Sequence, residues 1–340
     1  MRLLVLGGST FLSEAVAARA VDRGHDVVCA NRSGRVPAGA RHVAWDRAVE
    51  AVPDWPFDGP VDAVVDTTTH PSRARAVVEA PSLRAAHGVQ VSTISVYADA
   101  ADGSLLPACD DEGPATDLGT LLAADPLAYG GLKVACERAQ ERRERSVVVR
   151  PGLIGGPGDP SGRLTYWVER LARVVEQPHE PVVVPDPAAG VQVVDVGDLA
   201  AFVVAALERG TTGVLDVVGP RTPLGDLLAG VARGVGVDPE RVPWHPASDT
   251  ALAAADVVPW MGPRSLPLWI PRPDGDALMT HDPAPAVAAG LDLRPIADTA
   301  AATLAWLRAE RAAGRPVATT GLTAAEEAAL VASGLPTLGA

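Results

Sequence analysis

Arg2-Leu3-Leu4-Val5-Leu6-Gly7-Gly8-Ser9-Thr10-Phe11-Leu12-Ser13 decides the fold. Its four consecutive apolar residues, 3–6, stop at a pair of glycines. Such a run marks a strand buried on both faces, as in a parallel sheet. The polar residues 9–10 lead into a helical pattern over 15–21, closed by Gly24. Asp26-Val27-Val28-Cys29-Ala30-Asn31 then reads as a second strand. Strand, glycine turn, helix and strand in succession are the opening of a dinucleotide-binding unit.

The alternation continues outward from this unit. Residues 41–45, 61–66, 89–94 and 146–150 predict four more strands. Helices are expected over about 72–86 and, carrying Tyr129 and Lys133, up to about 144. The fold class that follows is α/β, a doubly wound parallel sheet (Rossmann-like) with a smaller, discontinuous C-terminal substrate lobe. Residues 151–162 are rich in Gly and Pro and read as a loop. A helix over 164–176, a strand over 191–194, a helix over 198–208 and a strand over 213–218 come next. From Pro220 onward prolines are frequent and elements short. The expected organisation is a dinucleotide-binding domain of 1–150 plus about 191–219, a substrate lobe of about 151–190 and 220–296, and C-terminal helices within 297–340.

Bulk properties narrow the function classes. The chain has 340 residues, 47% of them hydrophobic, enough for a sizeable core. Its net charge of -13 argues against a nucleic-acid partner, which needs a positive footprint. Cys29, Cys109 and Cys136 show neither metal nor redox spacing, so no metal site is expected and a reducing compartment fits. No apolar run reaches membrane-spanning length. The expectation is a cytoplasmic protein, without a membrane partner, acting on a small-molecule substrate.

Gly7 fits the first glycine role of a dinucleotide turn, while Thr10 and Ser13 stand where the second and third glycines are usual. The helix N-terminus over Phe11 and Leu12 offers backbone N–H groups to a pyrophosphate, and the hydroxyls of Ser9 and Thr10 add to them. The second strand ends Asn31-Arg32-Ser33, with no carboxylate where an NAD-preferring site holds the ribose. Arg32 with Ser33 suits a 2′-phosphate. NADP is therefore favoured as cofactor, with NAD possible. Asp46, after the third strand, is placed to meet the adenine.

Lys133 is the only lysine among 29 basic residues. It lies four residues after Tyr129 in a helical segment, one turn away. Arg is always charged and forked, whereas Lys is a compact point charge. In a chain this biased toward arginine, the position looks as if it needs an ammonium.

Gly7-Gly8-Ser9-Thr10-Phe11-Leu12, Val91-Ser92-Thr93-Ile94-Ser95-Val96-Tyr97, Tyr129-Gly130-Gly131-Leu132-Lys133, Arg150-Pro151-Gly152 with the glycines that follow, and Val194-Asp195-Val196-Gly197-Asp198 occur in this order. Together they resemble the extended short-chain dehydrogenase/reductase superfamily, in its NAD-dependent epimerase/dehydratase-like branch, over most of residues 1–220. The resemblance implies a catalytic set of Thr93, Tyr129 and Lys133. Tyr129 would be the acid/base. A free phenol ionises near pH 10, and an ammonium one helical turn away favours the phenolate. Thr93 would hold the reacting oxygen, and Lys133 would also bond the nicotinamide ribose. No lysine follows Tyr97 at that spacing. Thr67, Thr68 and Arg150 would line the cofactor, and His70 would reach substrate. Trp244 and Trp260, with His245, Met261 and Trp269, read either as an aromatic wall for a flat ligand or as the core of a small lobe.

Three functions remain open. The first is an NADP(H)-dependent oxidoreductase acting on a carbonyl or secondary alcohol. The second is an epimerase or dehydratase of a nucleotide-linked sugar that recycles its cofactor. The third is a non-catalytic dinucleotide- or RNA-binding relative, suggested by the thinned glycines and opposed by the acidic charge. A homodimer is a further possibility in this family.

Overall fold

The computed structural model describes residues 1–339. Contacts divide the chain into two compact units. The first comprises 1–152, 196–218 and 282–292. The second comprises 153–195, 219–281 and the chain from Leu293 onward.

Seven strands build the sheet of the first unit: β1 (Arg2–Leu6), β2 (Asp26–Asn31), β3 (Arg41–Ala44), β4 (Ala63–Asp66), β5 (His87–Val91), β6 (Ser146–Pro151) and β7 (Gly213–Val217). Their order is β7-β6-β5-β4-β1-β2-β3, and every neighbouring pair is parallel. Leu3 faces Val27 of β2 on one side and Ala63 of β4 on the other. The winding therefore reverses beside β1, and the crevice outside the C-terminal ends of β1, β2 and β4 is where such sheets bind ligands. Leu3, Leu4 and Val5 are fully buried, as an apolar run covered on both faces must be. β3 closes one edge with the exposed residues Arg41 and His42, polar side chains that blunt an open edge.

The helix Phe11–Asp22 buries Val16, Ala17 and Ala20 completely, and it packs against the helix Val196–Arg209. On one side of the sheet, Leu4, Leu6, Val28, Val64, Val77 and Leu83 pack around Trp45. Burial of each such side chain is worth about 1.5–3 kcal/mol.

Some boundaries differ from the sequence expectation. The helix expected over 72–86 stops at Glu79. Ala80 precedes Pro81 and is extended (φ -63°, ψ 122°), because the proline ring disfavours helical backbone in the residue before it. The strand expected over 191–194 is two short pieces. Gly190–Val191 pairs with Thr222–Pro223, and Val193–Asp195 pairs with Leu153–Gly155. Gln192 between them is fully buried, and its amide donates to Gly219 O and His281 O. An amphipathic signal is missing from Leu118–Ala124, a helix that buries no residue and went unread.

The core of the second unit surrounds the helix Arg163–Ala172, with Trp167, Leu171, Val183, Leu228 and Trp269 buried. Arg170, 2% exposed, pairs with Glu327 of the terminal helix Ala324–Ala332. Glu327 also accepts the Val183 N–H at 2.8 Å. No helix among the described residues is long and apolar enough to cross a membrane.

Candidate active site

The turn after β1 is built from left-handed glycines. Gly7 has φ +116° and Gly8 φ +76°, angles that L-residues with a side chain rarely adopt. A Cβ on Gly8 would lie 2.5 Å from Cys29 Sγ, so the second glycine lets the turn lie against β2. Ser13, where a third glycine is usual, is buried and donates its hydroxyl to Thr10 O at 2.9 Å. A small residue that folds its polar atom back onto the turn replaces the glycine. Thr10 occupies the N-cap position without a side-chain cap bond. The first-turn N–H groups over Phe11, Leu12 and Ser13 thus lack a capping side chain, the condition for an anion cradle. Phe11 opens the helix at φ +40°, and Leu12 is buried.

Beside this turn lies a cleft of ≈ 370 Å³ at the ends of β2 and β3. Gly7, Ser9, Arg32, Ser33, Asp46 and Asn31 line it, and so do Trp45, Arg47 and Arg73. Asn31 serves the loop rather than a ligand. Its Nδ2 donates to Gly7 O and Arg35 O, and its Oδ1 accepts from Ser33 N, Ser33 Oγ and Gly34 N. Asp46 Oδ1 caps Ala48 N–H, while its Oδ2 lies 3.8 Å from Arg32 Nη1. Arg47 forks onto Asp66 at 2.9 and 2.7 Å. Burial pushes the Asp66 carboxyl up, but Arg47, the Thr68 N–H and Lys133 outweigh it and hold the group below the usual carboxylate range. Sequence reading missed Arg47 and Arg73. The available signal was position, since Trp45-Asp46-Arg47 directly follows β3 and Arg73 lies in the first turn of the helix after β4.

Thr93, Tyr129 and Lys133 are placed by the segment after β5 and the helix Ala128–Gln140. Thr93 is 8% exposed. Its Oγ1 accepts Ser95 N–H at 3.1 Å and donates to Ser95 Oγ at 3.2 Å, capping the turn Ile94–Val96. Gly130 explains how the helix reaches this turn: a Cβ there would lie 2.2 Å from Ser95 O. Gly131 is also closely fitted, with a Cβ there 2.8 Å from Pro107 O. Tyr129 thus sits in a helix seated by the two glycines directly after it. A Gly130→Ala variant is expected to lose about 1–3 kcal/mol through overpacking. Its thermal midpoint should fall by several degrees, and an unchanged midpoint would show that the seat is not tight.

Lys133 has a different environment from the one its spacing suggested. Lys133 is 3% exposed, and its ammonium donates to Thr67 O at 3.1 Å, Thr68 O at 2.9 Å and Val91 O at 2.9 Å. An ammonium has three N–H donors, and all three end on backbone carbonyls. Lys133 ties the ends of β4 and β5 together, and Thr67 and Thr68 meet it through their carbonyls. In this arrangement no N–H of Lys133 is left for a ribose or a phenol.

His70 and Arg150 are also paired internally. His70 Nδ1 lies 3.3 Å from Asp111 Oδ2, off hydrogen-bond alignment. Asp111 accepts both the N–H and the hydroxyl of Ser72. Burial, with Arg73 nearby, moves the His70 imidazole below its ordinary pKa despite Asp111. Arg150 forks onto Glu137 at 2.9 and 2.7 Å and donates to Tyr97 Oη at 2.8 Å. Its guanidinium is therefore committed to protein partners rather than turned to the expected cofactor contact. Tyr97 in turn donates to Asp216. Burial raises the Tyr97 pKa, Asp216 adds to this, and Arg150 opposes both. Tyr97 is held as a neutral phenol.

Trp244 and Trp260 lie in the second unit and pack against its core. Trp244 Nε1 donates to Pro239 O. Trp260, at φ +75°, carries the Arg163 guanidinium 4.4 Å from its ring centroid. Trp269 is 2% exposed and bonds Asp249. Of the two sequence readings, these contacts match a lobe core rather than an open aromatic wall.

No family model and no curated protein matches the sequence. Solved structures do match in fold. The Bordetella bronchiseptica enzyme WbmH, in complex with NAD+, is 18% identical over 90% of this chain and 98% of its own, with a TM-score of 0.58. A UDP-glucose-4-epimerase from Stenotrophomonas maltophila, with bound NAD and formylated UDP-arabinopyranose, is 17% identical over 92% and 99%, with a TM-score of 0.59. RMD from Pseudomonas aeruginosa, complexed with NADPH, is 17% identical over 91% and 99%, with a TM-score of 0.57. The seven-stranded parallel sheet wound around the β1 turn is thus a Rossmann-like fold shared with these solved structures.

Proposed function

We propose that this chain is an NADP(H)-dependent enzyme of the short-chain type that acts on the carbonyl or secondary alcohol of a small molecule. The observation that carries the reading is the seating of the Tyr129 helix against the Thr93 turn by Gly130, on a sheet whose β1 turn ends in an uncapped helix. Three observations support a dinucleotide here. The left-handed glycines form the tight turn that such a site uses, the first-turn N–H groups suit a pyrophosphate, and the cleft at β2 offers Arg32 and Ser33 where a ribose-binding carboxylate would exclude a 2′-phosphate.

The nicotinamide, when bound, supplies or accepts the hydride. Tyr129 gives or takes the proton on the reacting oxygen. Thr93 orients that oxygen, its 3.2 Å bond to Ser95 Oγ being long enough to yield to a better acceptor. Lys133 acts as a fixed positive charge one helical turn from Tyr129 and as the brace that holds the Thr67–Thr68 loop.

A second reading is an epimerase or dehydratase of a nucleotide-linked sugar, with the cofactor oxidised and re-reduced in each cycle. It is supported by the fold shared with the UDP-glucose-4-epimerase and with TunA, an NAD-dependent NDP-hexosamine 5,6-dehydratase 17% identical to this chain. Fluorescence titration with NADPH and NADH side by side, followed by a panel of carbonyl compounds and nucleotide sugars, separates the readings. Net NADPH consumption is the expected result. Product formed without it would favour the second reading, and binding of neither nucleotide would overturn both.

A further inference from the structure

The arginine-lined cleft contains more positive charge than its own carboxylates answer. Arg32, Arg47 and Arg73 line it against a single lining carboxylate, Asp46. Arg47 is already neutralised by Asp66 behind it, and its Nη2 also donates to Arg73 O at 3.0 Å. Arg32 is 75% exposed and lies 3.8 Å from Asp46, a loose surface pair of little worth. Arg73 is the exception. It is half-buried, and it has no carboxylate partner among the described residues. Its Nε and Nη2 donate to one backbone carbonyl, Pro114 O, which fixes the guanidinium and leaves Nη1 without a hydrogen bond among the described residues. Burial lowers the Arg73 pKa first, and repulsion from Arg47 and Arg32 outweighs the help of Asp46 and Asp111. Three guanidinium groups thus line one cleft beside a single carboxylate, a field that favours an anionic ligand.

Resting on the dinucleotide reading above, we infer that Arg73, from the helix after β4, is the residue that selects NADP(H) over NAD(H) by receiving the 2′-phosphate of the adenosine ribose. Arg32, on the exposed side of the cleft, is the weaker contributor. Arg47 acts as a fixed background charge, immobilised by Asp66. The anchoring on Pro114 O pre-orients Arg73, so little side-chain entropy remains to be lost when the phosphate arrives. A phosphate contacted by an oriented guanidinium gains charge-assisted hydrogen bonds that a ribose hydroxyl does not.

The test uses binding rather than turnover. NADPH, NADH, 2′-AMP and 5′-AMP are titrated by calorimetry into the full chain and into its Arg73→Gln, Arg73→Lys and Arg32→Gln variants, with thermal midpoints measured alongside. The wild type is expected to bind NADPH at least tenfold more tightly than NADH, and 2′-AMP more tightly than 5′-AMP. Arg73→Gln should erase most of that preference, roughly 10- to 100-fold, as expected for one charged phosphate contact, with NADH affinity within about twofold of wild type. Arg73→Lys should restore part of it, and Arg32→Gln should cost less than Arg73→Gln. A wild type that prefers NADPH, with the same preference surviving Arg73→Gln, overturns the inference and leaves the dinucleotide reading intact. A wild type that binds both nucleotides equally, or neither, overturns the selection of NADP(H) itself. Should Arg73→Gln fail to fold, the Arg73→Lys preference decides: wild-type discrimination without the fork would overturn the role of an oriented guanidinium.

Discussion

Tyr129→Phe is expected to reduce turnover by about 10²–10⁴-fold, the usual contribution of a positioned proton-transfer group, while NADPH affinity and thermal midpoint stay close to wild type. The separation follows from where the hydroxyl stands. Tyr129 is half-buried in the first turn of its helix, and its hydroxyl takes no part in the hydrogen-bond network of the described residues. Removing it leaves no orphaned partner, so the fold has nothing to lose. Tyr97 provides the contrast. Its hydroxyl lies between Arg150 and Asp216, and Tyr97→Phe leaves both groups short of a bond. That variant is expected to lose about 1–3 kcal/mol of stability and to keep most of its turnover at low temperature. The reverse pattern, with Tyr97→Phe inactive and Tyr129→Phe active, would move the acid/base assignment to Tyr97.

The sheet was legible because parallel strands announce themselves as apolar runs. Residues 3–6, 27–30 and 147–149 are buried on both faces, and the glycines after the first run force the turn. Boundaries were less legible where a single residue decides them, as Pro81 does for the helix that ends at Glu79. The site was legible as residue types but not as partners. Spacing places Lys133 one turn from Tyr129, yet nothing in a linear sequence indicates that three carbonyls, two from the loop after β4 and one from the end of β5, converge on its ammonium. Arg150 was read outward for a similar reason, because its ion pair with Glu137 is made across 13 residues and an intervening loop. Arg47 and Arg73 went unread because their meaning comes from sharing a cleft with Arg32, and that depends on strand order.

Lys133 therefore carries two roles that one substitution can separate. Lys133→Met keeps most of the stem volume and removes the ammonium, leaving Thr67 O, Thr68 O and Val91 O without their shared donor. An unsatisfied buried acceptor costs about 1–3 kcal/mol, and Gln90 Nε2 already donates to two of the three, at 3.3 Å to Thr68 O and 3.0 Å to Val91 O. Those two carbonyls lose only part of their bonding, whereas Thr67 O loses its donor outright. The net expectation is a loss of roughly 2–4 kcal/mol and a fall in midpoint of about 5–15 °C. Lys133→Arg is expected to rescue neither property, since a planar fork cannot direct three donors at carbonyls arranged around a point. Turnover should fall at least 10²-fold in both variants, because the loop that Lys133 braces and the positive charge it places near Tyr129 are lost together. A Lys133→Met protein with a wild-type midpoint would show that the three carbonyl bonds are dispensable. One with a lowered midpoint but wild-type turnover well below that midpoint would confine Lys133 to the fold.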